Sequence, residues 1–475
     1  MSRIFKHPLV ALSLAVSFAA CGGGSKDPVG PGTPSGGAAG GSNPASGGAG
    51  GGRNVAGAAG GSSDRAGAAG ESSMGGSGTT GAAGSASDVD TRPLPSGPPA
   101  STGTANVPEF QPAFPEQTRA PGMTTETPLD VVEVASGFNL PWAIAFLPDA
   151  RMLVTEKATG KLYLVTAQGV KSPAVTGLPE VDARGQGGLL DVEVGPDYAT
   201  SGLIYWTYYE PRQGGNGLAV ARAKLNDGAN PSVSDMQIIF HMMPTLESTM
   251  HAGGRLVFAP DGKLFVTLGE RSILEGRMQA QKLDSHFGKI VRIEQDGSVP
   301  SDNPYVGMAN AKPEIWSIGH RNVLAATLDR SGRLWEVEMG PKGGDELNLV
   351  QRAKDYGWPT IGYGEEYSGA VLHQNTQMSG MEQPVYYWDP VVSPSGMTVY
   401  SGSLFPEWRG DFFIGGLSSK NLIRLMVRND KVVGEERLLK DRGARIREVV
   451  QGPEGALYLL TDDANGKLLK LVPKN

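Results

Sequence analysis

The stretch HAGGRLVFAPDGKLFVTLGE, residues 251–270, sets two apolar runs on either side of a Pro-Asp-Gly turn. Two such runs about a tight turn are the signature of a β-hairpin. The phrase recurs as LPWAIAFLPDARMLVTE (140–156), GLLDVEVGPDYATSGLIYWTYYE (188–210), RNVLAATLDRSGRLWEVEMG (321–340), SGMTVYSGSLFPEWRGDFFIGG (395–416) and IREVVQGPEGALYLLTDD (446–463). A third apolar run often follows, as in GKLYLV, GKIVRI, NLIRLMV and GKLLKLV. Six units over about 350 residues give roughly 58 residues each, a spacing typical of propeller blades and far from α-solenoid periods. No long amphipathic helix interrupts them. The repeat predicts an all-β fold, a six-bladed β-propeller over 125–475, with the early strand LDVVEV (129–134) completing the last blade. A β-sandwich of similar strands is the alternative, but a single sandwich seldom needs a sixfold repeat.

The chain has 475 residues, with 68 glycines, 34 prolines and one cysteine, and the glycines crowd the N-terminal quarter. Runs such as GGAAGGSNPASGGAGGG cannot bury enough apolar surface to offset their ordering entropy, so residues 21–124 read as a disordered linker. Ahead of it, MSRIFKHPLVALSLAVSFAAC resembles a bacterial lipoprotein signal peptide (1–20) whose cleavage exposes Cys21 for lipidation. An ordinary secretory signal with an incidental cysteine is the other reading. Both place the domain outside the cytoplasm, in the periplasm or at the outer membrane, without disulfides. A glycine-rich tether of about 100 residues reaches roughly 50–60 Å, enough to hold the domain clear of a bilayer. The net charge of −7 and the absence of a long basic run argue against nucleic acid as a partner.

In a propeller the innermost strand of each blade lines the central channel. The residues just before each first strand should therefore meet at one end of it. Those positions hold Gln186, His251, Arg321 with Asn322, and Arg445 with Arg447. Taken singly, each is more often a core or surface residue than a functional one. Together they place fixed positive charges, two amides and a base that acts near neutral pH in one concavity. That is the pattern for a polyanionic ligand beside a proton acceptor.

The motifs RGQGGLLDVEVGPDY, HAGGRLVF, IGHRNVLA, EMGPKGGDELN, DYGWP, SPSGM and DRGARIREV occur in the order seen in soluble quinoprotein sugar dehydrogenases. The chain resembles the aldose sugar dehydrogenase branch of the glucose/sorbosone dehydrogenases, which use pyrroloquinoline quinone (PQQ). The resemblance runs from Leu129 to the C-terminus. It implies a six-bladed propeller with the quinone in the central pocket and His251 as the general base for the sugar C1 hydroxyl. It also implies that Gln186, Arg321 and Asn322 bond the cofactor's oxygens, and that Lys420, Arg445 and Arg447 grip its acidic edge. A calcium ion would rest on the carbonyls of Gly340 and Pro341, with Glu346 and Tyr356 serving a second, structural ion. Without the resemblance, GPKGGDE reads as a plain turn with acidic flanks. Met250 stands before the histidine where glucose-specific relatives carry Asp, which puts tight glucose specificity in doubt.

The expected partners are an aldose sugar, an external electron acceptor, and the membrane through lipidated Cys21 alone. Two other functions compete. A calcium-dependent, lactonase-like hydrolase would want several carboxylate or Asn ligands on the axis, where this chain has arginines. A non-catalytic, surface-tethered binding module has no need of a histidine among cations.

Overall fold

The computed structural model describes residues 90–474, and Thr91–Asn475 form one packed unit. The signal peptide, Cys21 and the first 69 linker residues, 21–89, lie outside the described residues. The first strand, β1 (Leu129–Phe138), is set aside by the chain until the end. Blade I follows with β2 (Pro141–Phe146), β3 (Met152–Glu156) and β4 (Lys161–Val165). Blade II is β5 (Leu189–Val194), β6 (Leu203–Arg212), β7 (Gly215–Asn226) and β8 (Ser232–His241). Blade III is β9 (Gly253–Phe258), β10 (Leu264–Leu268), β11 (Lys289–Ile293) and β12 (Ile315–Ile318). Blade IV is β13 (Val323–Leu328), β14 (Leu334–Glu338), β15 (Asp345–Leu349) and β16 (Tyr386–Trp388). Blade V is β17 (Pro394–Val399), β18 (Phe412–Gly416), β19 (Asn421–Arg428) and β20 (Lys431–Leu438). Blade VI is β21 (Ile446–Gln451), β22 (Leu457–Thr461) and β23 (Gly466–Pro473), completed by β1 pairing antiparallel with β23.

The expected sixfold ring and its closure by the Leu129 strand are both present. Blade I departs from the pattern, with three strands where the others have four. The innermost strands β2, β5, β9, β13, β17 and β21 each touch the next around the ring, and β21 returns to β2. They are almost fully buried, which suits apolar runs such as LLDV and VLAA.

A threonine on the second strand joins each of the first three blades to its neighbour. Thr155, Thr207 and Thr267 accept the first-strand N–H groups of Ala143, Asp191 and Arg255 at 3.0, 3.0 and 2.9 Å. The same hydroxyls donate onward to the carbonyls of Leu190, Gly254 and Val323 in the next blade, at 2.6, 2.6 and 3.0 Å. Each sits beside a register shift, where ladder bonding lapses and a side chain must satisfy the freed groups. Thr207→Val keeps the shape but strands a buried N–H and a buried carbonyl. Stability should fall by about 2 kcal/mol, read by urea denaturation.

The packed unit begins at Thr91 rather than at Thr125. Residues 91–124 run along the outer strands of blades IV and V. Arg92 pairs with buried Asp411 at 2.6 Å, and the N–H groups of Asn106 and Val107 donate to Asp389 at 2.8 and 3.0 Å. Fully buried Gln117 donates to Pro384 O at 2.9 Å, and Ala120 packs in the cluster of Trp388 and Val432. Met123 N–H reaches Glu435 O at 3.0 Å, and Thr125 Oγ1 donates to Glu436 Oε2 at 2.7 Å. Polar pairing and backbone bridges hold this segment, so low apolar content did not preclude order. Deleting 22–90 should leave the melting midpoint unchanged. Deleting 22–124 should lower it by about 5 °C, because buried Asp389 and Asp411 each lose partners.

Candidate active site

The channel end assembles as the hairpins dictate. Gln186 precedes β5, His251 precedes β9, Arg321 and Asn322 precede β13, and Arg445 precedes β21. Contacts between consecutive blades then follow. Gln186 Oε1 accepts the His251 N–H at 2.8 Å, and Asn322 Oδ1 accepts the Gly253 N–H at 3.1 Å. His251 is 5 % exposed and sits at φ +46°, a left-handed conformation uncommon for a non-glycine residue.

Its Nδ1 lies 2.7 Å from Oε1 of Glu270, which is fully buried just past the end of β10. Glu270 Oε2 accepts the Ser272 N–H at 3.1 Å. An ionised carboxylate here accepts Nδ1–H and leaves Nε2 as the bare base. No hydrogen bond among the described residues uses that Nε2. Burial, then the charge of Arg321, lowers the imidazole below its usual range, and Glu270 opposes both. The histidine is therefore neutral at physiological pH. The approach of the two strands demands a glycine, since a Cβ on Gly269 would lie 2.2 Å from His251 O. The turn after Glu270 is pinned by fully buried Arg271, which stacks on Tyr209 and donates to Ser248 O at 2.6 Å.

The positive charge forms an arc, part of which is internally paired. Arg445 Nε and Nη2 donate to Asp462 Oδ2 at 2.8 and 2.7 Å, and Arg447 Nη2 donates to Asp462 Oδ1 at 2.9 Å. Despite its burial, Asp462 is driven down to about 2 by Arg447 and Arg445. One carboxylate thus fixes two guanidinium planes and cancels one of their charges. Lys157, just past β3, adds a further cation. Its Nζ donates to Gly185 O at 2.8 Å, and burial followed by the charge of Arg447 pushes it down to about 8. Lys420 is exposed at φ +52° on the turn between β18 and β19, outside this hydrogen-bonded arc.

Arg321 closes the arc. Its Nη1 donates to the carbonyls of Met339 and Gly340 at 2.8 and 2.6 Å, its guanidinium faces the Trp358 ring at 5.1 Å, and its Nε is buried without a partner. Asn322 is fully buried, with its carbonyl oxygen committed to β9, so it braces the strand joint. Gly340, Pro341, Glu346 and Tyr356 all line one cavity of about 20 Å³ with Arg321 and Glu338, room for a single ion or water. The Tyr356 hydroxyl is engaged elsewhere, donating to Leu349 O at 2.6 Å and accepting the Gln351 N–H at 2.8 Å. Burial, then the charge of Glu338, pushes the Glu346 carboxyl well above its usual range.

Glu270, Asp462 and Lys157 were missed in the sequence, yet their signal was present. Each lies just past the second strand of its hairpin, opposite a residue just before the first. Leu268 pairs with Gly253, so two residues outward on either side stand Glu270 and His251. Thr461 pairs with Ile446, so one residue outward stand Asp462 and Arg445.

Fold and site define a six-bladed propeller whose first-strand ends carry a carboxylate-held histidine and several buried cations. The chain belongs to the glucose/sorbosone dehydrogenase family, which matches residues 138–470. It is 43% identical over 340 residues to the aldose sugar dehydrogenase of Escherichia coli, covering 70% of this chain and 90% of that protein. The apo crystal structure of the soluble E. coli aldose sugar dehydrogenase superposes with a TM-score of 0.70 at 42% identity, over 73% of this chain and all of that one. The PQQ-bound aldose sugar dehydrogenase from Streptomyces coelicolor superposes at 0.60 with 25% identity, over 73% of this chain and all of that one.

Proposed function

We propose that the chain oxidises the C1 hydroxyl of aldose sugars to lactones with bound PQQ, passing electrons to an external acceptor. The observation that carries this reading is the Glu270–His251 pair at the same end of the blades' first two strands as Arg321, Arg445, Arg447 and Lys157. The arc suits a small polycarboxylate. Arg321 Nε is a buried donor without a partner, and Asp462 holds two guanidinium forks in fixed planes. When bound, the quinone supplies the hydride acceptor that no side chain offers, and calcium on the Gly340 and Pro341 carbonyls supplies Lewis-acid polarisation.

The chain's own part is proton handling and placement. Neutral His251 takes the hydroxyl proton at Nε2, and Glu270 stabilises the resulting imidazolium. Gln186 fixes the backbone of the base. For calcium, the carbonyl oxygens are hard donors of the right kind, and Arg321 shares that of Gly340. A lipid on Cys21 would tether the domain outside the cytoplasm, at the outer membrane or in the periplasm.

Dye-linked aldose oxidation by the stripped protein should appear only when quinone and calcium are both supplied. Activity surviving chelation and exhaustive cofactor removal sinks the assignment. Arg447→Ala should weaken quinone binding roughly 10- to 150-fold, the worth of one charged hydrogen-bonding partner. Turnover at saturating quinone should stay near normal, so equilibrium titration and kcat together test the role of the arc.

A further inference from the structure

Immediately before Arg321 in the chain, His320 enters a buried polar cluster that borders the Gly340 and Pro341 cavity through Glu338 and Tyr356. His320 and Glu336 are 0 % exposed and Glu338 is 4 % exposed. His320 Nδ1 lies 3.3 Å from Glu338 Oε1 and 3.7 Å from Glu336 Oε1. Its Nε2 lies 2.9 Å from Ser317 Oγ, and Tyr356 stacks on the ring at 4.7 Å. One ligand atom from each of the three lies within 4.8 Å of the other two. Asn348 Nδ2 donates to Glu336 Oε1 at 2.8 Å, but Glu336 Oε2 and Asn348 Oδ1 are buried with no partner.

Two carboxyl groups in a dry interior stay ionised together only if a compensating charge lies beside them. The Arg321 guanidinium donates to the carbonyls of Met339 and Gly340, and none of its hydrogen bonds reaches Glu336 or Glu338. One imidazolium would balance at most one of the two. A divalent cation would balance both, and the spacing suits it. Donors about 2.0–2.1 Å from a tetrahedral metal stand about 3.3–3.4 Å apart, close to the two imidazole-carboxylate distances.

We propose that His320, Glu336 and Glu338 form a site for a first-row transition metal of the zinc class, distinct from the calcium positions at Gly340 and Pro341. One imidazole with two carboxylates selects such a metal, whereas calcium takes six to eight oxygens. The Ser317 hydroxyl, accepting Nε2–H, sets the tautomer with its lone pair on Nδ1. Glu338 also accepts the Arg321 N–H, so the metal would fix the backbone from which the cofactor-facing guanidinium extends. This inference stands whether or not the quinone reading holds.

The test uses the untagged full chain, stripped of quinone and metal and titrated with Co²⁺ under visible absorption, with Zn²⁺ in competition. One equivalent of Co²⁺ should bind with d–d bands that Zn²⁺ removes, and Zn²⁺ at a hundredfold excess over Kd should raise the melting midpoint by about 3 °C. Glu336→Gln should weaken both about 100-fold, while Glu133→Gln, which changes an exposed carboxylate of β1 paired with Lys467, should leave them intact. Absence of binding, equal binding by Glu336→Gln, or the same stabilisation by Ca²⁺ alone overturns the proposal. Anomalous diffraction from cobalt-soaked wild-type crystals decides independently of any variant's folding. Cobalt beside His320 supports the site, and cobalt only elsewhere overturns it.

Discussion

His251→Gln should leave quinone affinity unchanged and lower kcat by about 10²- to 10⁴-fold, the usual worth of a positioned general base. The amide can keep the contact with Glu270, so packing and the cationic arc survive the change. It cannot accept a proton near neutral pH. Equilibrium binding of the quinone and single-turnover rates on the saturated variant separate the two effects. The pH profile supplies a second check. The imidazole is lowered by burial and by Arg321, so its neutral form persists at pH values below its ordinary titration. The acidic limb of kcat/KM should therefore fall below about pH 6.5 and vanish in the variant. Normal turnover in His251→Gln at saturation would make the histidine a pocket wall and refute the mechanism.

The fold was legible because a blade is a local object. Pro-Asp, Pro-Glu and Ser-Gly turns between apolar runs mark hairpins without reference to the rest of the chain, and the count of hairpins sets the ring. The ring position of His251, Gln186, Arg321 and Arg445 was legible for the same reason, since register follows from the turn. Two things were hidden. Residues 91–124 are held by Arg92, Asn106, Gln117 and Thr125 bonding to carboxylates and backbone far along the chain, so their composition resembled a tether. The charge balance of the site was hidden too. The sequence shows Arg445 and Arg447 as two free cations, whereas Asp462, 15 residues beyond Arg447, is folded between them. Single residues advertise charge, but only hairpin register shows which charges are paired.

Register also isolates the residue on which the chemistry depends at one remove. Glu270→Gln should lower kcat by about 10²- to 10⁴-fold with KM for the sugar little changed. Two donors converge on Glu270, the His251 Nδ1–H on Oε1 and the Ser272 N–H on Oε2. A carboxylate satisfies both, but an amide has only one oxygen. The Ser272 N–H belongs to a turn pinned by buried Arg271 and cannot withdraw. The oxygen therefore goes to Ser272, the NH₂ faces Nδ1, and the imidazole must carry its proton on Nε2, where the base is needed. An analogous carboxylate-to-amide change in a serine-protease triad imposes the wrong tautomer at a cost of about 10⁴ in kcat. Loss of the carboxylate also removes the charge that raises the imidazole, so the acidic limb should move to lower pH. Glu270→Asp retains charge and both acceptors and should recover part of the rate. A merely structural Glu270 predicts the opposite pattern, with lowered quinone retention and melting midpoint and an unmoved pH limb in the folded fraction.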